Sequence, residues 1–253
     1  MLCHIKKILL LPVLSFFVVS SVAAAGPEYR QKTYPNGNLR YEGWFEGDKA
    51  VKELKRYHEN GRLWVDQQFD GDGNSSIKAY SGEGFLMAEG HYKGEARDGQ
   101  WLYYNKGGGL LMVENYDNGK LDGECKVYDL DGNLLDESFY KQDRLDSVRL
   151  QYYPNGNVMA KFSYKDGDLD GEFRSYYYDG YPEYKGMYKN GKREGWWYYT
   201  DDVGVTDSLL YVDGVSEEME MMIRMESDSS DSVNQYFIDP EDYINNPMEY
   251  ISF

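Results

Sequence analysis

The sequence predicts an all-β fold, an elongated sheet of consecutive antiparallel β-hairpins in about seven units of nearly equal length. Three observations predict it. Glycines recur at a nearly fixed interval, Gly37, Gly61, Gly84, Gly108, Gly132, Gly156 and Gly180, with every step the same except one that is shorter by a single position. An aromatic stands eight residues after each, namely Phe45, Phe69, Tyr92, Tyr116, Tyr140, Tyr164 and Tyr188. No 3.6-residue apolar stripe runs between Thr33 and Thr200, whereas period-two alternation does. Self-similarity at such a period marks a repeat protein, built from units that contact their neighbours.

The unit reads most clearly over 152–176. Pro154-Asn155-Gly156 is a turn, because Asn and Gly tolerate the positive φ of tight hairpins. Val158 to Tyr164 is the first strand, Asp166-Gly167 a second turn, and Gly171 to Tyr176 the second strand. The second strand recurs at Gly99 to Tyr104, Gly123 to Tyr128 and Gly195 to Tyr199. The fifth unit departs from it, with Ser147 for the glycine and Arg149 for the aromatic. The second is irregular through Asp70-Gly71-Asp72-Gly73-Asn74, and a degenerate eighth unit covers Val203 to Gly214. Two strands per unit advance a sheet by roughly 10 Å. A single sheet has no second layer, so its large side chains must cover one another, which fits 16% aromatic content and 26 tyrosines. On this reading Gly156→Val damages the fold more than Gly43→Val, and the seven phased glycines and seven phased aromatics are structural.

The chain divides into three parts: a signal peptide at 1–25, a repeat domain at 26–214 and an acidic cap and tail at 215–253. Lys6 and Lys7 precede the apolar run Ile8 to Val22, and Ala23-Ala24-Ala25 supplies small residues for cleavage before Gly26. The expected location is periplasmic or secreted; the alternative is an uncleaved anchor. Cys3 leaves with the signal, so Cys125 alone remains, expected as a small buried hydrophobe. Residues 215–253 hold ten acids and one base, Arg224. They read as a disordered tail, with docking on the sheet or on a partner as the alternative. Net charge is −17, or −19 without Lys6 and Lys7, which excludes nucleic acid and disfavours anionic membranes.

Chemistry-bearing patterns are sparse. His4 lies in the signal, and His58 and His91 lack metal-ligand spacing. No nucleophile elbow, phosphate loop or HExxH is present. Asp70 to Ser76 begins like a calcium loop, but Ser75 and Ser81 stand where glycine and glutamate are needed. The reading is therefore no enzyme, no cofactor and no metal, with carboxylates placed for turns.

The element Tyr-x-x-Gly-x-x-x-Gly-x-aromatic-x-x-Tyr, at Tyr92 to Tyr103 and Tyr188 to Tyr199, resembles the MORN repeat family and its bacterial variant. It is also similar to the YwqK-family antitoxins of toxin–antitoxin systems. The resemblance covers about Thr33 to Gly214 and implies a curved, twisted sheet of hairpins. Three function classes follow: an exported scaffold for a protein partner, an antitoxin or immunity-type protein, and a carbohydrate- or envelope-binding module. The first is preferred, with an unidentified protein partner and envelope polysaccharide as the alternative ligand. The expected binding residues are Tyr176, Tyr177, Tyr178, Tyr181, Tyr184, Trp196, Trp197, Tyr198 and Tyr199, joined by Lys185, Lys189, Lys192 and Arg193. Neighbours in a strand face opposite sides, so such runs cannot lie wholly in one buried layer.

Overall fold

The structure, a computed structural model, describes residues 26–218. The predicted signal peptide, Cys3 and His4 lie outside these residues, as does the acidic segment beyond 218. The described chain is almost entirely antiparallel strand, in two compact units divided between residues 144 and 145. The N-terminal unit carries β1 Glu28–Thr33, β2 Leu39–Glu46, β3 Lys49–Tyr57, β4 Leu63–Phe69, β5 Ser75–Tyr80, β6 Leu86–Lys93, β7 Ala96–Tyr104, β8 Leu110–Asp117, β9 Lys120–Leu121, β10 Gly123–Tyr128 and β11 Leu134–Lys141. The two-residue β12, Arg144–Leu145, stands at the division. The C-terminal unit carries β13 Ser147–Tyr152, β14 Val158–Lys165, β15 Asp168–Leu169, β16 Gly171–Tyr176, β17 Pro182–Lys189, β18 Lys192–Thr200, β19 Thr206–Val212 and β20 Val215–Ser216. Within each unit, strands pair with their sequence neighbours as successive hairpins.

The two predicted turns of each repeat are built differently. At the phased glycine, the glycine N–H bonds the carbonyl three residues back, and that residue's own N–H bonds the carbonyl four ahead, as at Gly156, Tyr153 and Asn157. This is the three-residue hairpin whose last position needs a left-handed backbone. All seven phased glycines have φ between +83° and +97°. Gly204, one repeat period after Gly180, makes the same turn with φ +86°, so the eighth unit has a complete turn. Asn155 does not share the positive φ; it acts as a hydrogen-bond bridge. Its Oδ1 accepts from Asn157 N at 3.0 Å, and its Nδ2 donates to Tyr178 O in the next repeat at 2.9 Å. The shorter turn, as at Asp166-Gly167 and Asn190-Gly191, has both residues at positive φ, the two-residue hairpin geometry.

The residue that opens the long turn has two alternative jobs. When aromatic, it reaches into the next repeat: Tyr34 to Tyr57 O, Tyr153 to Tyr176 O and Tyr177 to Thr200 O, all near 3 Å. When short and polar, it closes its own turn. Asp129 Oδ1 accepts from Asp131 N and Asn133 N, and Asn105 and Asp201 do likewise. Asp70 follows the same pattern, accepting from Asp72 N, Asn74 N and Asn74 Nδ2. The calcium-like stretch is thus a hairpin turn whose leading carboxylate is engaged by the turn's own donors. The second unit is therefore irregular: it makes this three-residue turn where other units make the two-residue one, and its following strand Ser75–Tyr80 has no left-handed break.

In four of the second strands an acid next to the break also receives a backbone donor. Asp98, Asp122, Asp170 and Glu194 accept the N–H of Asn118, Gln142, Asn190 and Asp213, each 19 or 20 residues on. Repeated carboxylates are therefore inter-repeat clamps. Next to them the backbone turns left-handed at Gly99, Gly123, Gly171 and Gly195, and also at Ser147 (φ +67°). The fifth unit keeps the geometry without the glycine. A side-chain-bearing residue there costs about 1–2 kcal/mol, so Ser147→Gly is expected to raise stability by about 1 kcal/mol. An unchanged or lower urea midpoint would refute that strain.

One sheet face carries the core. In the C-terminal unit Ala160, Phe162, Tyr164, Phe173, Tyr188, Trp197 and Tyr211 cluster, backed by Leu145, Leu169, Tyr184 and Leu209. In the N-terminal unit the corresponding cluster is Val65, Ile77 and Trp101, flanked by Trp64, Tyr92, Tyr103 and Tyr116. Of the phased aromatics, Tyr164 and Tyr188 are buried, while Phe45, Phe69, Tyr92, Tyr116 and Tyr140 are half-buried. Cys125 is buried in the same face, in the position occupied by Trp101 and Phe173. Removing a buried ring of this size costs about 2–4 kcal/mol, so Tyr164→Ala should lower the calorimetric midpoint clearly. A loss below about 0.5 kcal/mol would show that the ring adds little to the cluster.

Space corrects the expected order of the glycine variants. A Cβ on Gly43 would stand 2.6 Å from Glu53 O and 3.0 Å from Leu54 Cα, both backbone atoms of the neighbouring strand. A Cβ on Gly156 meets nothing within 4 Å and carries only the strain of φ +86°. Gly43→Val is therefore the more damaging change. Steric exclusion by the paired backbone outweighs a left-handed turn, whose strain is about 1–2 kcal/mol.

Candidate interaction surface

The predicted aromatic site separates into four places. Trp197 is 4% exposed and belongs to the core. Its ring stacks on Phe173 at 5.5 Å, meets Tyr188 edge-on at 5.0 Å, and its Nε1 donates to Met187 O at 3.2 Å. This corrects its expected role as a binding residue: period-two alternation directs it inward and its neighbours outward. Trp196 and Tyr198 are 54% and 42% exposed on the opposite face of β18. Tyr184 and Tyr199 share the core face, their rings 4.9 Å apart, with Tyr199 more exposed. Burial pushes the Tyr184 phenol up to about 12. Tyr178 and Tyr181, 57% and 71% exposed, lie in the long turn; Tyr178 packs edge-on against Tyr153 at 5.2 Å. Tyr176 and Tyr177 are half-buried, and Tyr177 is the strut to Thr200 O.

Of the 13 exposed large apolar side chains among the described residues, ten lie at 145–218. That imbalance places the unusual surface on the C-terminal unit, although its described part is the shorter of the two. Trp196 occupies the position held by Gln100, Glu124 and Glu172 in other repeats. Those residues fold the same strand, so the hairpin does not require an indole there.

The predicted basic companions divide too. Lys185 lies on the outer face beside Tyr198, its direct cross-strand partner. Lys189 is exposed opposite Lys192 at the hairpin end, and Lys192 pairs with Asp213 at 2.9 Å. Arg193 sits over the core rings of Trp197 and Tyr211, at 4.8 and 5.1 Å, and its Nη1 donates to Tyr211 Oη. Arg97 repeats the arrangement over Trp101 at 4.4 Å, donating to the hydroxyls of Tyr103 and Tyr116. Both hydroxyls donate to the buried Glu114 at 2.7 Å. These arginines are cation–π lids on the core, a role that spacing alone does not show.

The outer-face row is not visible in the sequence alone. In the N-terminal unit, directly opposed residues run Glu42, Lys55, Asp66, Lys78, Glu89, Leu102, Val113, Lys126, Glu137. Acid and base alternate wherever the row is charged, and each lysine is ion-paired: Lys55 with Glu53, Lys78 with Glu89, Lys126 with Glu124 and Glu137. In the C-terminal unit the same row runs Leu150, Lys161, Arg174, Lys185, Tyr198, Ser208. Three cations stand side by side. The signal was legible only once strand register was known.

Chemical machinery is thin among the described residues. His58 bonds Tyr80 O at 3.0 Å and packs against Trp64, serving the turn. His91 lines an open groove of about 650 Å³ with Phe69, Asp70, Ser76, Tyr92 and Asp98. No three His, Cys, Asp or Glu side chains converge there or elsewhere among the described residues in a metal-holding group.

Comparison with known proteins adds a repeat type. The family model described as MORN repeat variant matches three consecutive segments, residues 121–142, 145–166 and 169–190. No curated relative matches the chain. Among solved structures, the crystal structure of TcdB2-TccC3-Cdc42 is 10% identical over 71% of this chain and 12% of that one, with a TM-score of 0.17. The crystal structure of TcdB2-TccC3 is 14% identical over 77% and 14%, with a TM-score of 0.18. This chain thus spans about an eighth of their length, and likeness at that level carries no argument.

Proposed function

We propose that the chain is an exported, non-catalytic repeat scaffold that binds a protein partner through its C-terminal unit. The supporting observation is Trp196 and Tyr198 on the outer face of β18, exposed where other repeats carry Gln100, Glu124, Leu102 or Lys126. Exposed aromatic clusters that the fold does not need mark interaction sites, and Trp and Tyr dominate binding hot spots. Repeats of the matched type serve as interaction modules, which agrees with this reading. The YwqK-type antitoxin reading rests on the repeat motif alone, and no relative supports it.

Two measurements test the proposal. The double variant Trp196→Ala, Tyr198→Ala should keep the β-sheet circular dichroism of the parent. It should lose at least about 30-fold in retention of whatever protein the parent captures from envelope extract, the scale of one hot spot. Unchanged retention, or retention of polysaccharide alone, would sink the proposal. Export is tested separately: N-terminal sequencing of the chain from the envelope or medium should begin at Gly26. A chain retaining Met1 in the cell interior would overturn that part.

A further inference from the structure

Lys161, Arg174 and Lys185 are consecutive cross-strand neighbours on the outer face of β14, β16 and β17. At strand spacing they span only about 10 Å. Like charges directly opposed destabilise a sheet, and the N-terminal unit avoids them by alternation. Here one anion intervenes: Glu172 holds Arg174 at 2.7 Å. That hydrogen bond, with help from the fields of Lys161 and Lys185, holds the Glu172 carboxyl below its usual range. Among the described residues the Lys161 and Lys185 side chains make no hydrogen bond or ion pair, unlike those of Lys55, Lys78 and Lys126 in the other row. The row continues into Tyr198, and exposed Met187 and Trp196 lie on the same face. The surface is cationic and aromatic on a chain of net charge −17.

The complement of this surface is in the same chain. Residues 219–253 carry eight acids against the single Arg224, with Tyr236, Phe237, Tyr243, Tyr250 and Phe253 interspersed. They follow β20, which pairs with β19, which pairs with β18 beside β17. From β19 to the far end of the cation row is four strands, about 19 Å, which about six extended residues span. We propose that the Lys161–Arg174–Lys185–Tyr198 face takes the acidic segment 219–253 of its own chain, carboxylates on the cations and aromatic rings on Trp196 and Tyr198. The contact shields the face assigned above to a partner; in that consequence alone the proposal rests on the partner-binding reading. A partner must then displace the segment, which makes capture depend on salt and on the partner's own acidity.

Zero-length carbodiimide coupling of the full chain tests the contact without any substitution. It joins a lysine amine only to a carboxylate already in contact, and peptide mapping reads the pair. Links from the carboxylates at 226–249 to Lys161 and Lys185 should exceed those to Lys189 and Lys192, and fall at least about threefold in 0.5 M salt, where the Debye length is only about 4 Å. The amines should also acetylate several-fold faster in the full-length variant Asp239→Asn, Glu241→Gln, Asp242→Asn. Uniform linking, or unchanged acetylation, overturns the proposal. So do links between isotopically distinct copies, which would make the occupant a second molecule. Protection of both lysines by polygalacturonate, with acetylation unaltered by the acidic-segment variant, overturns it in favour of a polysaccharide. Partner capture is read independently, so the two proposals can fail separately.

Discussion

Trp197→Ala is expected to cost the C-terminal unit about 3–5 kcal/mol, the range for truncating a large buried aromatic. The ring touches Phe173, Tyr188 and Tyr211 at once, and Arg193 covers its outer edge. The informative experiment pairs it with Gly186. A Cβ there would stand 2.2 Å from Trp197 Cδ2, so even alanine cannot be added while the indole holds its place. Gly90 stands in the same relation to Trp101, at 2.3 Å. We expect Gly186→Ala to cost about 1–3 kcal/mol alone, as overpacking does. In the Trp197→Ala background the same change should be neutral or slightly stabilising, because alanine then fills part of the vacated space. Urea unfolding of the four proteins gives the coupling directly, and contacting residues that share a cavity couple by about 0.5–3 kcal/mol. Additive effects would show that the glycine and the indole do not share that space.

The pairing explains why some of this fold was legible in the sequence and some was not. The phased glycines announce themselves because their need is local: a left-handed backbone is a property of one residue and its turn. The hairpins and the alternation of Trp196 and Trp197 follow from the same local rules. Gly43, Gly90 and Gly186 answer to a side chain or backbone on the next strand, and that requires register. Hence local rules alone place Gly43 below Gly156, although its neighbour's carbonyl excludes any side chain. Composition groups Trp197 with Trp196 as a run of aromatics, whereas the sheet puts them on two faces. The cation row is the extreme case. Lys161 and Lys185 stand one repeat period apart with Arg174 between them, on three different strands, and only the pairing register shows that the three are direct neighbours.

Alkaline pH should unfold this protein through its tyrosines. Burial, then the charge of Glu114 and the hydrogen bond to it, pushes the Tyr103 phenol well above its ordinary 10. Burial and the hydrogen bond to Glu114 do the same for Tyr116. In the C-terminal unit burial pushes Tyr153 and Tyr184 up to about 12. The sign follows from proton counting. Below pH 10 these phenols are protonated in both states, and their contribution is constant. Above pH 10 the unfolded chain releases the protons while the folded chain keeps them, so stability falls until the folded pKa is passed. Each such tyrosine contributes a slope of at most about 1.4 kcal/mol per pH unit, less what solvent screens at a half-buried hydroxyl. Several acting together should remove a few kcal/mol between pH 10 and 12. Tyrosinate absorbance near 295 nm should rise around pH 10 in urea, but lag toward pH 12 in the folded chain. Glu114→Gln removes the anion that two of these phenols face, so part of the lag should move to lower pH. If folded and unfolded chains titrate together, the Arg97–Tyr103–Tyr116–Glu114 cluster is open to water and contributes no pH dependence of this kind.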